Sequence, residues 1–154
     1  MIRAILFVAL TCFSTLALAD AVCVTIPKAN LRKGPGTNFP VSWTVGQNMP
    51  FLRLEQKGPW SKVRDLDGVT HWITSKSVSA KYSCAVVKTK VARLRKAPDI
   101  KADSADIETA DRYTPFKKIE RDGEWLLVQD DYRGEYWVNE SNVWIPMVRK
   151  AVAF

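Results

Sequence analysis

Asn30-Leu31-Arg32-Lys33-Gly34-Pro35 returns as Arg93-Leu94-Arg95-Lys96-Ala97-Pro98, 63 positions further along the chain. The echo continues at an offset of 65. Pro50-Phe51 returns as Pro115-Phe116, Gly58-Pro59-Trp60-Ser61-Lys62-Val63 as Gly123-Glu124-Trp125-Leu126-Leu127-Val128, and His71-Trp72-Ile73 as Tyr136-Trp137-Val138. Four anchors in one order mark an internal duplication, and the two residues added between the first and second anchors read as growth of a surface loop. The duplication divides the chain into a first unit over 20–82 and a second over 83–146, with 1–19 ahead of them and 147–154 behind.

Each unit reads as short strands separated by turns. In the first, Val22–Ile26 and Phe51–Leu54 are strand-like, and Trp60–Arg64 and Thr70–Thr74 flank the hairpin turn Asp65-Leu66-Asp67-Gly68. In the second, Trp125–Gln129 and Glu135–Val138 flank Asp130-Asp131-Tyr132-Arg133-Gly134. Ser77-Val78 and Asn142-Val143 look like single 3₁₀ turns ahead of a last short strand. Only Asp103–Arg112, with Ser104, Asp106 and Glu108 near its start, tempts a helical reading, and it falls in the variable loop of the second unit. The expected class is all-β.

The composition bounds the rest. A chain of 154 residues with 47% hydrophobic and 25% charged residues is a globular protein of one average or two small domains, which excludes collagen-like, mucin-like and fully disordered chains. Met1–Ala19 has a basic start at Arg3, an apolar run from Ala4 to Leu18, and Ala17-Leu18-Ala19 ahead of Asp20. That is the layout of a cleavable secretory signal. A membrane anchor, the alternative, needs about 20 apolar residues and no small-residue cleavage site. Cleavage after Ala19 removes Cys12 and sends a protein without a membrane span to the periplasm or the exterior. There the two remaining cysteines, Cys23 and Cys84, are expected to form one disulfide, because an oxidising compartment favours the bridge.

Charge is uneven between the halves. Val22–Ser83 carries nine Lys/Arg against three Asp/Glu, and Cys84–Phe154 carries thirteen against twelve. A basic first half suits an anionic partner, although its cations are scattered along the sequence as those of a solvated surface also are. Export argues against nucleic acid.

The string NLRKGPGTNFPV (Asn30–Val41), followed by Gly58, Trp60 and Val63 as Gly-x-Trp-x-x-Val and by Asp67-Gly68-Val69-Thr70-His71-Trp72-Ile73, resembles the bacterial Src homology 3 domain, a small five-stranded barrel of exported bacterial proteins. The likeness covers Val22 to about Ser79. Val86–Ile145 resembles it more loosely, with Ala97 and Asp99 in place of the two glycines around the proline. The resemblance implies two tandem five-stranded β-barrels and a role in wall targeting or peptide recognition. In a small barrel the first and last strands lie side by side, which brings Cys23 and Cys84 together and makes the bridge a staple of the first unit.

Strand parity sorts core from surface. With Val63 and Ile73 inward, Trp60 and Trp72 point outward, as do Trp125 and Trp137 against Val128 and Val138. Outward rings offer a stacking platform, or are covered by the neighbouring unit or a loop. The candidate ligand-binding residues are therefore Trp60, Trp72, His71, Trp43, Lys62 and Arg64, with Phe39 nearby, and Trp125, Trp137 and Tyr136 in the second unit.

Catalysis has little support. His71 is the lone histidine, two cysteines and one histidine are too few for a zinc site, and the paired aspartates sit in turns where their backbone hydrogen bonds explain them. No cofactor is expected. The readings that remain are a non-catalytic module for cell-wall glycan or peptide, an adaptor for another exported protein, and an accessory inhibitor of an exported enzyme.

Overall fold

The computed structural model describes residues 19–148. The signal reading and the end of the 147–154 tail lie outside the described residues. Two seven-stranded antiparallel sheets follow one another. The first contains β1 (Asp20–Val24), β2 (Ala29–Arg32), β3 (Val41–Val45), β4 (Pro50–Lys57), β5 (Trp60–Arg64), β6 (Thr70–Thr74) and β7 (Val78–Ser79), in the order β3-β2-β6-β5-β4-β1-β7. The second repeats that order with β8 (Cys84–Val87), β9 (Val91–Arg95), β10 (Ser104–Asp111), β11 (Pro115–Asp122), β12 (Trp125–Gln129), β13 (Glu135–Asn139) and β14 (Val143–Trp144). A 3₁₀ turn precedes the last strand of each, at Ser75–Ser77 and Glu140–Asn142. The all-β, two-unit reading holds, with β2 and β3 in the first unit, and β8 to β11 in the second, beyond the strands read from the sequence.

Every strand of a sheet supplies inward residues to one core. The first is built on Val22, Val24, Leu31, Val45, Phe51, Val63, Ile73 and Val78, the second on Ala85, Val87, Leu94, Ala110, Phe116, Val128, Val138 and Val143. The period-two alternation of each strand dictates this inward set. As expected of the first and last strands, β1 pairs with β7, Cys23 lying opposite Ser79.

Two sequence expectations change. The segment with the helix-like acidic start is β10, an edge strand pairing with β9, and its register slips between Ser104 and Thr109. Both inserted residues are absorbed in that bulge and not in a turn. An edge strand tolerates a bulge because only one side is hydrogen-bonded, and acidic residues along it discourage pairing with another chain. The second change concerns the bridge. Cys23 and Cys84 are joined, with Cα atoms 6.0 Å apart. But Cys84 opens β8, so the disulfide ties the first strand of one unit to the first strand of the other.

The bridge is one part of a seam. In β8, Ala85 and Val87 face their own core, so parity turns Val86 the other way, into the core of the first unit. Trp144, opposite Val86 in the ladder, packs against that same core. The seam is also reciprocal. Asn48 and Tyr113 occupy equivalent turn positions, at φ 64° and 71°, with their N–H groups donating to Val24 and Val87 respectively. Each reaches the hairpin of the opposite unit: Asn48 Nδ2 donates to Asp131 Oδ1 (3.1 Å), and Tyr113 Oη donates to Asp67 Oδ2 (2.8 Å).

The loop after β2 shows how the repeats diverged in sequence while keeping their backbone. Lys33, Gly36 and Phe39 N–H groups donate to Pro40, Gly34 and Gly36 carbonyls, and Lys96, Asp99 and Ala102 N–H groups donate to Asp103, Ala97 and Asp99 carbonyls. Arg32 donates to the Thr37 and Phe39 carbonyls, Arg95 to that of Ala102. Gly34 has no positive φ. Its hydrogen leaves room for the Phe39 ring, which a Cβ there would enter. Where Phe39 becomes Ala102, the glycine becomes Ala97, and the loop survives the exchange.

Candidate functional site

The outer face of the first sheet gathers what the sequence scatters. The β5–β6 and β4–β5 registers set Lys62 between Trp72 and Glu55, Trp60 between Thr74 and Lys57, and Arg64 beside Thr70; β2 brings Arg32 opposite Trp72 on its other side. Lys62 Nζ lies 5.9 Å from the centre of the Trp72 ring, at the limit of a cation–π contact. Lys57 and Arg64 are exposed, and Lys62, Trp72 and Arg32 are half-buried. Arg32, Lys57, Lys62 and Arg64 thus share one face with a tryptophan, with Glu55 the acidic residue among them. Trp60 departs from its expected exposure: it leaves the sheet on the outer side, yet only 9% of it is accessible. Parity fixes the face, not its cover, and here Lys57 and Thr74 flank the indole across both ladders.

The second unit repeats the scaffold without the charge. Arg95 lies opposite Trp137, but Leu127 replaces Lys62 and Gln129 replaces Arg64. Trp125 and Trp137 are half-buried, and Asp122, Glu120 and Glu135 lie around them.

His71 belongs to a different part of the structure. It is buried, its Nε2 3.0 Å from Asp65 Oδ2 and its Nδ1 2.8 Å from Ser42 Oγ. A carboxylate only accepts, so in the neutral ring Nε2 carries the proton and Nδ1 accepts from Ser42. Asp65 Oδ1 accepts from the Asp67 and Val69 N–H groups, both at 2.9 Å. This serine–histidine–aspartate chain has the connectivity of an activated nucleophile, and the second unit shows what the histidine–aspartate pair does. There Asp130 Oδ1 accepts from Tyr132 and Gly134 N–H groups while Oδ2 accepts from Tyr136 Oη at 2.9 Å. The shared element is an aspartate clamp across a hairpin turn, tied to a buried residue on the next strand. Histidine and tyrosine are interchangeable ties. Tyr136, a candidate ligand-binding residue in the sequence, is likewise buried, and desolvation together with its bond to Asp130 raises its pKa.

The tie dictates its neighbour. A Cβ on Gly134 would overlap Tyr136 Oη and approach Asp130 Oδ2 to 3.0 Å, whereas the shorter imidazole of His71 leaves room for Val69. Gly134→Ala is therefore expected to cost about 1–3 kcal/mol of stability by overpacking, read as a lowered urea midpoint. The same substitution combined with Tyr136→His is expected to recover most of the loss.

Two clefts open where a turn of one unit meets the hairpin of the other. One, of about 450 Å³, is polar and includes Asn48, Tyr82, Lys117, Asp131 and Arg133. The other, of about 320 Å³, is lined by Ser42, Trp43, Asp65, Asp67, Val69, His71 and Tyr113. In it the Trp43 and Tyr113 rings stand edge to face, 5.5 Å apart at 79°. The sequence singled out Trp43 but gave no sign of Tyr113, whose place here depends on the packing of two units. Among the described residues, no group of three or more His, Cys, Asp or Glu is placed to hold a metal ion, and no helix is long and apolar enough to cross a membrane.

Residues 26–80 match the bacterial SH3 domain family. No curated protein matches the chain significantly. Among solved structures, NlpC2 from Trichomonas vaginalis is 13% identical with a TM-score of 0.37, covering 89% of this chain and 52% of its own. An NlpC/P60 family protein from Bacillus cereus is 12% identical with a TM-score of 0.38, covering 82% and 56%. The endolysin LysPBC5 CBD is 16% identical with a TM-score of 0.33, covering 86% and 97%. The chain spans about half the length of the two NlpC proteins.

Proposed function

We propose that this chain, which carries a bacterial SH3 domain over residues 26–80 and a second unit of the same strand order, is a non-catalytic, exported module that binds cell-wall material. The observation that carries the reading is the gathering of Arg32, Lys62 and Arg64 about Trp72, with Lys57 opposite Trp60, on one sheet face. Cations fixed on a rigid face attract an anionic matrix, and the indole adds a contact that salt does not screen. The buried disulfide fits an oxidising compartment. The second unit, whose corresponding face is acidic, braces the first across the seam.

Co-sedimentation of the purified, exported protein with insoluble peptidoglycan sacculi tests this. Pelleting is expected at low salt and, reduced but present, at moderate salt. Pelleting abolished by moderate salt would leave only generic charge attraction. No pelleting at either salt would point to an exported protein as the partner, as an adaptor or inhibitor requires.

A further inference from the structure

We infer that the cleft between Trp43, Tyr113 and the Asp65–Val69 hairpin is a binding site for an uncharged saccharide ring. This is a second site, on the seam and apart from the basic face, and it rests on the wall-binding reading.

The first argument is that Tyr113 is an unfavourable choice for its backbone. A positive φ is tolerated by glycine and asparagine far better than by tyrosine, and the equivalent turn of the first unit uses Asn48. The chain carries this local strain at a residue that is 41% exposed and whose ring forms one wall of a cleft. Trp43 forms the adjacent wall, its inner side packed on the first core. The pseudo-equivalent cleft has no such corner: Asn48 stands for Tyr113, and Trp43 has as its counterpart the bulged segment Ala105-Asp106-Ile107-Glu108. The aromatic corner occurs once although the scaffold occurs twice.

The second argument is that the polar groups of the cleft already have partners. Asp67 accepts from Arg112 Nη2 at 2.7 Å and from Tyr113 Oη at 2.8 Å, and Arg112 also donates to the Lys88 carbonyl. Asp65 is satisfied by two N–H groups and His71. Asp67 is thus paired with a cation and the buried Asp65 has its donors in place, so a phosphate or a peptide carboxylate finds no cation left to receive it. What remains is two aromatic walls, the exposed Val69, the Ser42 hydroxyl and the outer lone pairs of a carboxylate. That set suits a pyranose, which has an apolar ring face and a rim of hydroxyls.

The test is ¹H–¹⁵N NMR of the whole exported protein, read at the tryptophan indole N–H signals, with the Trp43 signal identified as the one lost in Trp43→Phe. Titration with an N-acetylglucosamine tetrasaccharide is expected to shift the Trp43 signal saturably and leave that of Trp72 in place. Tyr113→Asn, which copies the first unit and suits the backbone, is expected to keep a folded spectrum and weaken binding at least tenfold. No shift at millimolar saccharide, shifts confined to other tryptophans, unchanged affinity in folded Tyr113→Asn, or a Trp43 shift with a sugar-free wall stem peptide would each overturn the assignment. Sacculus pelleting measured in parallel separates the two readings. Pelleting without a Trp43 shift overturns the cleft alone, and a Trp43 shift without pelleting overturns wall binding through the basic face.

Discussion

Replacing Cys23 and Cys84 together by alanine is expected to lower the unfolding free energy by about 4 kcal/mol, the loop-entropy value for a bridge closing 61 residues. Both sulfurs belong to buried residues, so alanine is the appropriate replacement: serine would add two buried hydroxyls and confuse the result. The loss corresponds to a fall in melting temperature on the order of 15 °C for a protein of this size. Because the bridge joins β1 to β8, and Val86 and Trp144 complete the first core, both units are expected to loosen in one transition. Urea unfolding of the oxidised and double-alanine proteins checks this. An unchanged midpoint would show that the seam holds without its covalent tie.

Asp65→Ala is expected to cost a further large amount, roughly 2–4 kcal/mol, because one carboxylate serves three donors. Its loss leaves the Asp67 and Val69 N–H groups without their acceptor and strands the buried imidazole of His71, whose other nitrogen is engaged by Ser42. Asp65→Asn restores an acceptor for the turn but retains only a neutral partner for His71, and is expected to recover about half of the loss. His71→Ala is expected to be milder than Asp65→Ala, since the turn keeps its two backbone bonds. Equal losses from both would place the stabilisation in the histidine and not in the turn clamp.

Much of the fold is legible in the sequence because it depends on local signals. Trp60–Arg64, Thr70–Thr74 and Trp125–Gln129 are strands over the ranges their alternation defines. The turn aspartates are legible for the same reason, since an aspartate bonds to backbone two and four residues ahead of it. β10 was not, because the acidic residues of an exposed edge strand mimic those of a helix N-terminus, and only the pairing with β9 distinguishes them.

The candidate site was legible in its residue types and not in its arrangement. Arg32, Lys57, Lys62 and Arg64 look dispersed along the chain, yet strand pairing sets them on one face, the first opposite Trp72, Lys57 opposite Trp60 and the other two on the strand between β4 and β6. Trp60 and His71 looked like surface partners of that tryptophan. One is covered by its cross-strand neighbours, and the other is consumed by a hairpin clamp whose third member, Ser42, lies 29 residues away. The seam was hidden most completely. Parity places Val86 outside its own core, but no local signal says which surface receives it.

The proposal of wall binding through the basic face is tested most directly by matched variants in sacculus co-sedimentation: Lys62→Glu with Trp72→Ala in the first unit against Leu127→Glu with Trp137→Ala in the second. Both alter side chains on the outward side of equivalent strands, so their structural costs are comparable, and circular dichroism verifies that each is folded. The first-unit variant is expected to remain in the supernatant while the second-unit variant pellets as the unaltered protein does. A folded first-unit variant that pellets undiminished would contradict the assignment of wall binding to that face.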